Sequence, residues 1–124
     1  MAKILIVEDD LDLVETYTDL LEAKQYSVMS VPRASEAIQL ITRNKPDVII
    51  LDLNLPGESG TVVVNFVRGY RPIADTRIIV ATGHPEIIQK TSYLCSKIDA
   101  ILTKPISNET LLKMLNDFQE SSTV

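Results

Sequence analysis

Carboxylates gather at two places along this 124-residue chain. Glu8, Asp9 and Asp10 follow the apolar run Lys3 to Val7, and Asp52 ends the run Asp47 to Leu51. Two later apolar runs end in complementary groups. Arg77 to Ala81 leads into Thr82-Gly83-His84-Pro85, and Ala100 to Leu102 leads into Thr103-Lys104-Pro105. Clustered carboxylates raise one another's pKa unless a cation offsets them. Oxygen-only ligands select a hard ion, and Mg²⁺ prefers few carboxylates, several waters and a phosphate oxygen. With the repulsion offset, Asp52 can act as a carboxylate nucleophile toward phosphorus, giving an aspartyl phosphate. The transferred group has three equatorial oxygens to stabilise. A metal takes one; the Lys104 ammonium and the Thr82 hydroxyl suit the others. Each residue has a plainer role open to it. Glu8 to Asp10 could be a solvated acidic helix start, Thr82 a cap, Lys104 a surface lysine and Asp52 a turn residue. Complementary chemistry at four strand ends together favours a site.

That grouping needs a fold that brings the four ends to one crevice. The runs at 3–7, 47–51 and 77–81 are short, apolar and bounded by turn residues, which is the pattern of strands buried on both faces. Ser27 to Val31 and Ala100 to Leu102 are shorter or more polar and suit sheet edges. Helical spacing fills the intervals. Leu13, Val14, Tyr17, Leu20 and Leu21 give one face of a helix from about Leu11 to Lys24, with Asp12 and Glu15 as a capping box. Ala34, Ala37, Ile38 and Ile41 give a second helix. Thr61 to Arg68 gives a third, although Val62, Val63 and Val64 are poor helix formers. Pro85 suits the first position of a fourth, with Ile87, Ile88, Thr91, Leu94 and Cys95 inward. Ser107 caps a last helix carrying Leu111, Leu112, Leu115 and Phe118. Alternating strands and helices predict an α/β doubly wound fold of the flavodoxin-like (βα)5 type. Its five-stranded parallel sheet has the order 2-1-3-4-5, with ligands beyond the carboxyl ends of the strands.

The bulk numbers are consistent with one domain, 45% hydrophobic. A net charge of −5 argues against nucleic acid or an anionic membrane as partners. The single Cys95 has no internal disulfide partner and is expected to pack as a small hydrophobe. No run is long and apolar enough to span a bilayer. Met1-Ala2-Lys3-Ile4 lacks a signal-peptide shape, so a cytoplasmic setting is expected. Residues 1–120 read as the domain and 121–124 as a polar, frayed tail.

At Glu8-Asp9, Asp52, Thr82 and Lys104-Pro105 the sequence resembles the CheY-like receiver domain of two-component response regulators. The intervals between these residues also look like the family's, and the resemblance covers the whole chain. It implies that Asp52 accepts phosphate from a sensor histidine kinase or a phosphotransfer protein in a phosphorelay. It implies Mg²⁺ bound by Asp9, Asp52 and the Asn54 backbone carbonyl, with Glu8 holding a metal-bound water. It also implies a cis Lys104-Pro105 peptide and a switched surface of helix four, strand five and helix five. Downstream lie an unknown effector and a monomer or phosphorylation-linked dimer. The domain would not turn over an external substrate, though it can dephosphorylate itself. Switch positions would be Thr82, Gly83, His84 and Ile101. Ile101 departs from the family, which often has Tyr or Phe there, and Gly83 stands where Ala is common and widens access. Two rival readings are open. One is a Mg²⁺-dependent phosphohydrolase using Asp52-Leu53-Asn54, although Asn54 is not acidic. The other is a flavodoxin-type binding module, although an acidic first loop repels the phosphate it must cradle.

Overall fold

The apolar runs form one five-stranded parallel sheet in the computed structural model, which describes residues 2–55, 57–83 and 92–121. Its strands are β1 (Lys3–Val7), β2 (Ser27–Val31), β3 (Val48–Leu51), β4 (Arg77–Thr82) and β5 (Ala100–Thr103), ordered β2-β1-β3-β4-β5. The three central strands are buried almost throughout, and the edges β2 and β5 are only partly covered. This follows from composition. Unbroken Ile, Val and Leu runs tolerate cover on both faces, whereas Ser27 and Ser30 fit an edge.

Alternate side chains of each strand go to opposite faces. On one face Ile4, Ile6, Val48, Ile50, Ile79, Ala81 and Leu102 pack under α1 (Leu11–Ala23) and α5 (Asn108–Ser121). On the other, Leu5, Val7, Ile49, Leu51, Ile78 and Val80 pack under α2 (Ala34–Asn44) and α3 (Thr61–Gly69). The Val-rich α3 forms because Val63, Val64 and Val67 are wholly buried. Each such burial is worth about 1.5–3 kcal/mol, against a helix-propensity cost of about 0.7 kcal/mol at most.

Two details differ from the sequence reading. The cap of α1 is Asp10, not Asp12. Asp10 has an extended backbone, and its carboxylate accepts from the N–H groups of Asp12 and Leu13 at 3.0 and 3.3 Å. Asp12 already lies in the first helical turn, where its charge complements the dipole. Cys95 is exposed while its neighbour Leu94 is buried, so Leu94 and not Cys95 faces inward on the short turn α4 (Ser92–Cys95). The expected start of helix four, with His84, Pro85, Ile87, Ile88 and Thr91, lies outside the described residues. Ser107 does cap α5, its hydroxyl accepting from the Thr110 N–H at 3.1 Å.

Two features that pattern-reading does not supply hold the sheet ends. Near the amino ends of β4 and β5, Arg68 donates to the carbonyls of Lys97, Ala74 and Thr76 and to the Asp99 carboxylate, at 2.6–2.9 Å. At the carboxyl end of β3, the chain returns on itself in a two-residue antiparallel pair, Asn54–Leu55 with Glu58–Ser59. Gly57 turns that hairpin at φ +73°. Gly60 then lies directly against the strand end. A Cβ there would stand 2.5 Å from the Asp52 carbonyl oxygen and 2.8 Å from Leu53 Cα. Both neighbours are backbone and cannot rotate away. Gly60→Ala should therefore destabilise the fold by about 1–3 kcal/mol, the usual scale for overpacking. Chemical denaturation checks this, and an unchanged midpoint would mean that the turn yields freely.

Candidate functional site

The carboxyl ends of the strands carry the chemistry because the ladder continues one step past each strand. Glu8 N–H donates to Val31 O at 3.1 Å, Asp52 N–H to Val7 O at 3.0 Å and Lys104 N–H to Thr82 O at 2.8 Å. The chain therefore stays extended through Glu8, Asp52 and Lys104. Period-two alternation then sets these residues on the same face as Ile6, Ile50 and Leu102. The Lys104–Pro105 peptide bond is cis.

The three side chains meet. Lys104 Nζ donates to Glu8 Oε1 at 2.5 Å and to Asp52 Oδ2 at 3.1 Å. The second Glu8 oxygen accepts from the backbone N–H groups of Asp9 and Asp10, at 3.1 and 3.2 Å. Asp52 Oδ1 accepts from the Asn54 N–H at 2.9 Å. Glu8 and Asp52 are buried, 4% and 7% exposed, whereas Asp9 is open to solvent. Carboxylate oxygens of Glu8, Asp9 and Asp52 all lie within 4.8 Å of one another. That donor set is all oxygen and carries three negative charges, so it fits a hard divalent cation such as Mg²⁺. An exposed Asp9 leaves one side for water ligands.

The electrostatics express the crowding. Burial pushes the Glu8 carboxyl pKa up, and the Asp52 charge adds to that. Bonds from Lys104 and the Asp10 backbone offset this only in part. Burial by itself would lower the Lys104 pKa. Its bonds to Glu8 and Asp52 outweigh that and raise it. Lys104 is therefore held as a full cation between two carboxylates.

The remaining residues singled out from sequence are distributed as follows. Thr82 ends β4, is 1% exposed and pairs in register with Thr103. Gly83 is exposed, with open space where a Cβ would stand. Asn54 is exposed in the hairpin beside Asp52. Ile101 lies on the edge strand β5 and is 37% exposed. Asp10, which the sequence groups with the acidic cluster, is occupied as a helix cap. Gly60 was missed. The only hint was its place four residues after Pro56, since a close backbone approach leaves no mark in composition.

Comparison with known proteins agrees with this geometry. The profile of the Response regulator receiver domain family matches residues 4–116. The protein PilH of Pseudomonas aeruginosa is 28% identical over 116 residues, covering 94% of this chain and 96% of PilH. The regulatory protein VanR of Enterococcus faecium is 36% identical over 106 residues, covering 83% of this chain but 43% of VanR. The chain thus spans under half of that longer regulator. Among solved structures, a CheY-like receiver domain protein from Methanospirillum hungatei superposes with a TM-score of 0.88 at 25% identity, covering 98% of this chain and 95% of that one. The receiver domain of a Pseudomonas aeruginosa sensor histidine kinase, solved with magnesium in its active-site cleft, superposes with a TM-score of 0.84. It is 23% identical, covering 94% of this chain and 95% of that one, and its likeness is one of fold. With the fold, the acidic cluster and the family match over nearly its whole length in agreement, this chain belongs to the response regulator receiver domain family of two-component signalling.

Proposed function

We propose that Asp52 is the phosphoacceptor of this receiver domain, charged from a phosphohistidine on a sensor histidine kinase or a phosphotransfer protein. The observation that carries this reading is the Lys104 ammonium, which bonds the buried Glu8 and Asp52 carboxylates together within the acidic cluster. An oxygen of Asp52 attacks phosphorus in line as the donor's N–P bond breaks, and the leaving imidazole keeps the electron pair. Lys104 then follows the negative charge onto a phosphoryl oxygen, and the Thr82 hydroxyl closes on another. Asp9, Asp52 and the Asn54 carbonyl would hold Mg²⁺, with Glu8 acting through a water. When bound, the ion offsets the carboxylate repulsion and the charge of the incoming oxygens.

Gly83 keeps the edge of the pocket open to the donor and to water. Self-dephosphorylation ends the signal, and no external substrate is turned over. The receiver unit is residues 1–120, with 121–124 as a polar tail, acting as a monomer or a phosphorylation-linked dimer. No described helix is long and apolar enough to cross a membrane. Thr82 pulls its loop, with Gly83 and His84, toward helix four and so alters the surface shared with β5 and α5. Ile101 is β-branched and stiff at χ1, so this change does not depend on a rotating aromatic ring at that position.

A small-molecule phosphodonor with Mg²⁺ should add one phosphoryl group to the wild-type protein and none to Asp52→Asn. Intact-mass measurement reads both, and equal labelling of the variant would remove Asp52 from the mechanism. Mg²⁺ should raise the melting temperature by binding only the folded state. Asp9→Asn should lose that gain, while a variant that keeps it would place the ion elsewhere. The Glu8 carboxyl should titrate above its ordinary 4.5 in metal-free protein. The folded state then binds this proton more tightly than the unfolded chain. Glu8 accordingly favours folding as the pH falls through its folded pKa toward 4.5, and penalises folding above that window. Carbon-13 NMR of the carboxyl should show the raised midpoint, and added Mg²⁺ should lower it. A metal-free midpoint at or below 4.5 would contradict this account.

A further inference from the structure

Among the described residues, one buried side-chain polar atom has no hydrogen-bond partner, the hydroxyl of Tyr17. Tyr17 lies on α1, 3% exposed, and packs in the cluster formed with Ile6, Ile50, Ala81 and Leu102. Three of those residues tie the cluster to the site. Two residues beyond Ile6, Ile50 and Leu102, on the same face, stand Glu8, Asp52 and Lys104. The phenol shares the core layer that continues into the triad. Burial pushes its pKa up, and the charges of Lys104, Glu8, Asp52 and Asp10 all reach it. It remains a neutral O–H donor.

A buried hydroxyl without a partner costs stability. Such a group in a folded protein calls for an explanation, and a second state that satisfies it is one. The neighbouring Glu8 supplies that state. Its Oε2 is occupied by two backbone N–H groups, and its Oε1 depends on Lys104. When Lys104 turns to a phosphoryl oxygen, Glu8 Oε1 loses its charged donor, and the one metal-bound water assigned to Glu8 leaves lone-pair capacity for a second donor. Phe at position 17 would fill the same space and offer none.

We propose that Tyr17 is a positioning residue for the phosphorylated state, its hydroxyl donating to the Glu8 carboxylate once Lys104 has moved onto the phosphoryl group. This rests on the phosphoacceptor reading of Asp52. The phenol is idle in the resting site and engaged in the charged one, so it biases the equilibrium between them by its differential interaction.

The test uses beryllofluoride with Mg²⁺ as the phosphoryl mimic, its binding followed by fluorine NMR, on wild type and Tyr17→Phe. Wild type should bind. Tyr17→Phe should melt at or above the wild-type temperature without ligand, because the unpartnered hydroxyl is gone. It should nonetheless bind beryllofluoride more weakly by about tenfold, the scale of one hydrogen bond to a charged group. A structural role would move stability and affinity in the same direction. In the complex, the Glu8 carboxyl carbon resonance should differ between wild type and Tyr17→Phe. Failure of wild type to bind would sink the Asp52 reading itself. Wild-type binding with unchanged affinity in Tyr17→Phe would overturn the role of Tyr17 alone. Weakened binding with an unmoved Glu8 resonance would overturn the Glu8 pairing.

Discussion

Two carboxylates that are nearly buried and share one ammonium define this protein. Glu8 and Asp52 are taken from water at the carboxyl ends of adjacent strands, and Lys104 is the cation that makes this tolerable. Desolvation of such charges is costly, and a buried ion pair recovers it only where the remaining lone pairs are also bonded. They are bonded here, by the backbone N–H groups of Asp9 and Asp10 on Glu8 and of Asn54 on Asp52. One positive charge still faces three negative ones once Asp9 is counted. A site with that imbalance attracts a divalent ion.

The two ends of the sheet handle charge in opposite ways. At the amino ends of β4 and β5, the Arg68 guanidinium spends its fork on three carbonyls and on Asp99, which also takes Arg77 and the Ile78 N–H. There one carboxylate serves two guanidiniums, and backbone carbonyls take the remaining Arg68 donors. At the carboxyl ends the imbalance is reversed, with three carboxylates around one ammonium, and the Tyr17 hydroxyl is left unsatisfied. The amino end anchors the strands, and the carboxyl end carries the excess negative charge. This division suits the two-state role proposed for the site.

Gly60 shows how closely backbone packing supports that chemistry. The hairpin after β3 folds back until the α-carbon of Gly60 lies against the Asp52 carbonyl. The Gly60 N–H donates to Leu53 O at 2.9 Å and so closes the loop. With its backbone fixed on one side by Val7 O and on the other by this turn, Asp52 has little freedom beyond its side chain. Precision at Asp52 therefore comes from the scaffold, as its proposed role of phosphoacceptor requires.

The sheet, its order and the grouping of Glu8, Asp9, Asp52 and Lys104 were legible in the sequence. Uninterrupted Ile, Val and Leu runs can be satisfied only by cover on both faces. In a parallel sheet, residues just past such runs must share one edge. Capping was less legible: Asp10 and Asp12 are chemically equivalent, and only the chain's path out of β1 made Asp10 extended and Asp12 helical. Cys95 was placed inward by a stripe in which its neighbour Leu94 is buried and Cys95 itself is exposed. Gly60 and Tyr17 were beyond the sequence for a deeper reason. A missing Cβ matters only when another backbone comes within 3 Å of its place, and an apolar-stripe tyrosine reveals its hydroxyl's lack of a partner only once the core has closed. Sequence order sets which residues can reach the crevice. Contacts between segments far apart in the chain decide what each finds there, because they exist only after the strands and helices have packed.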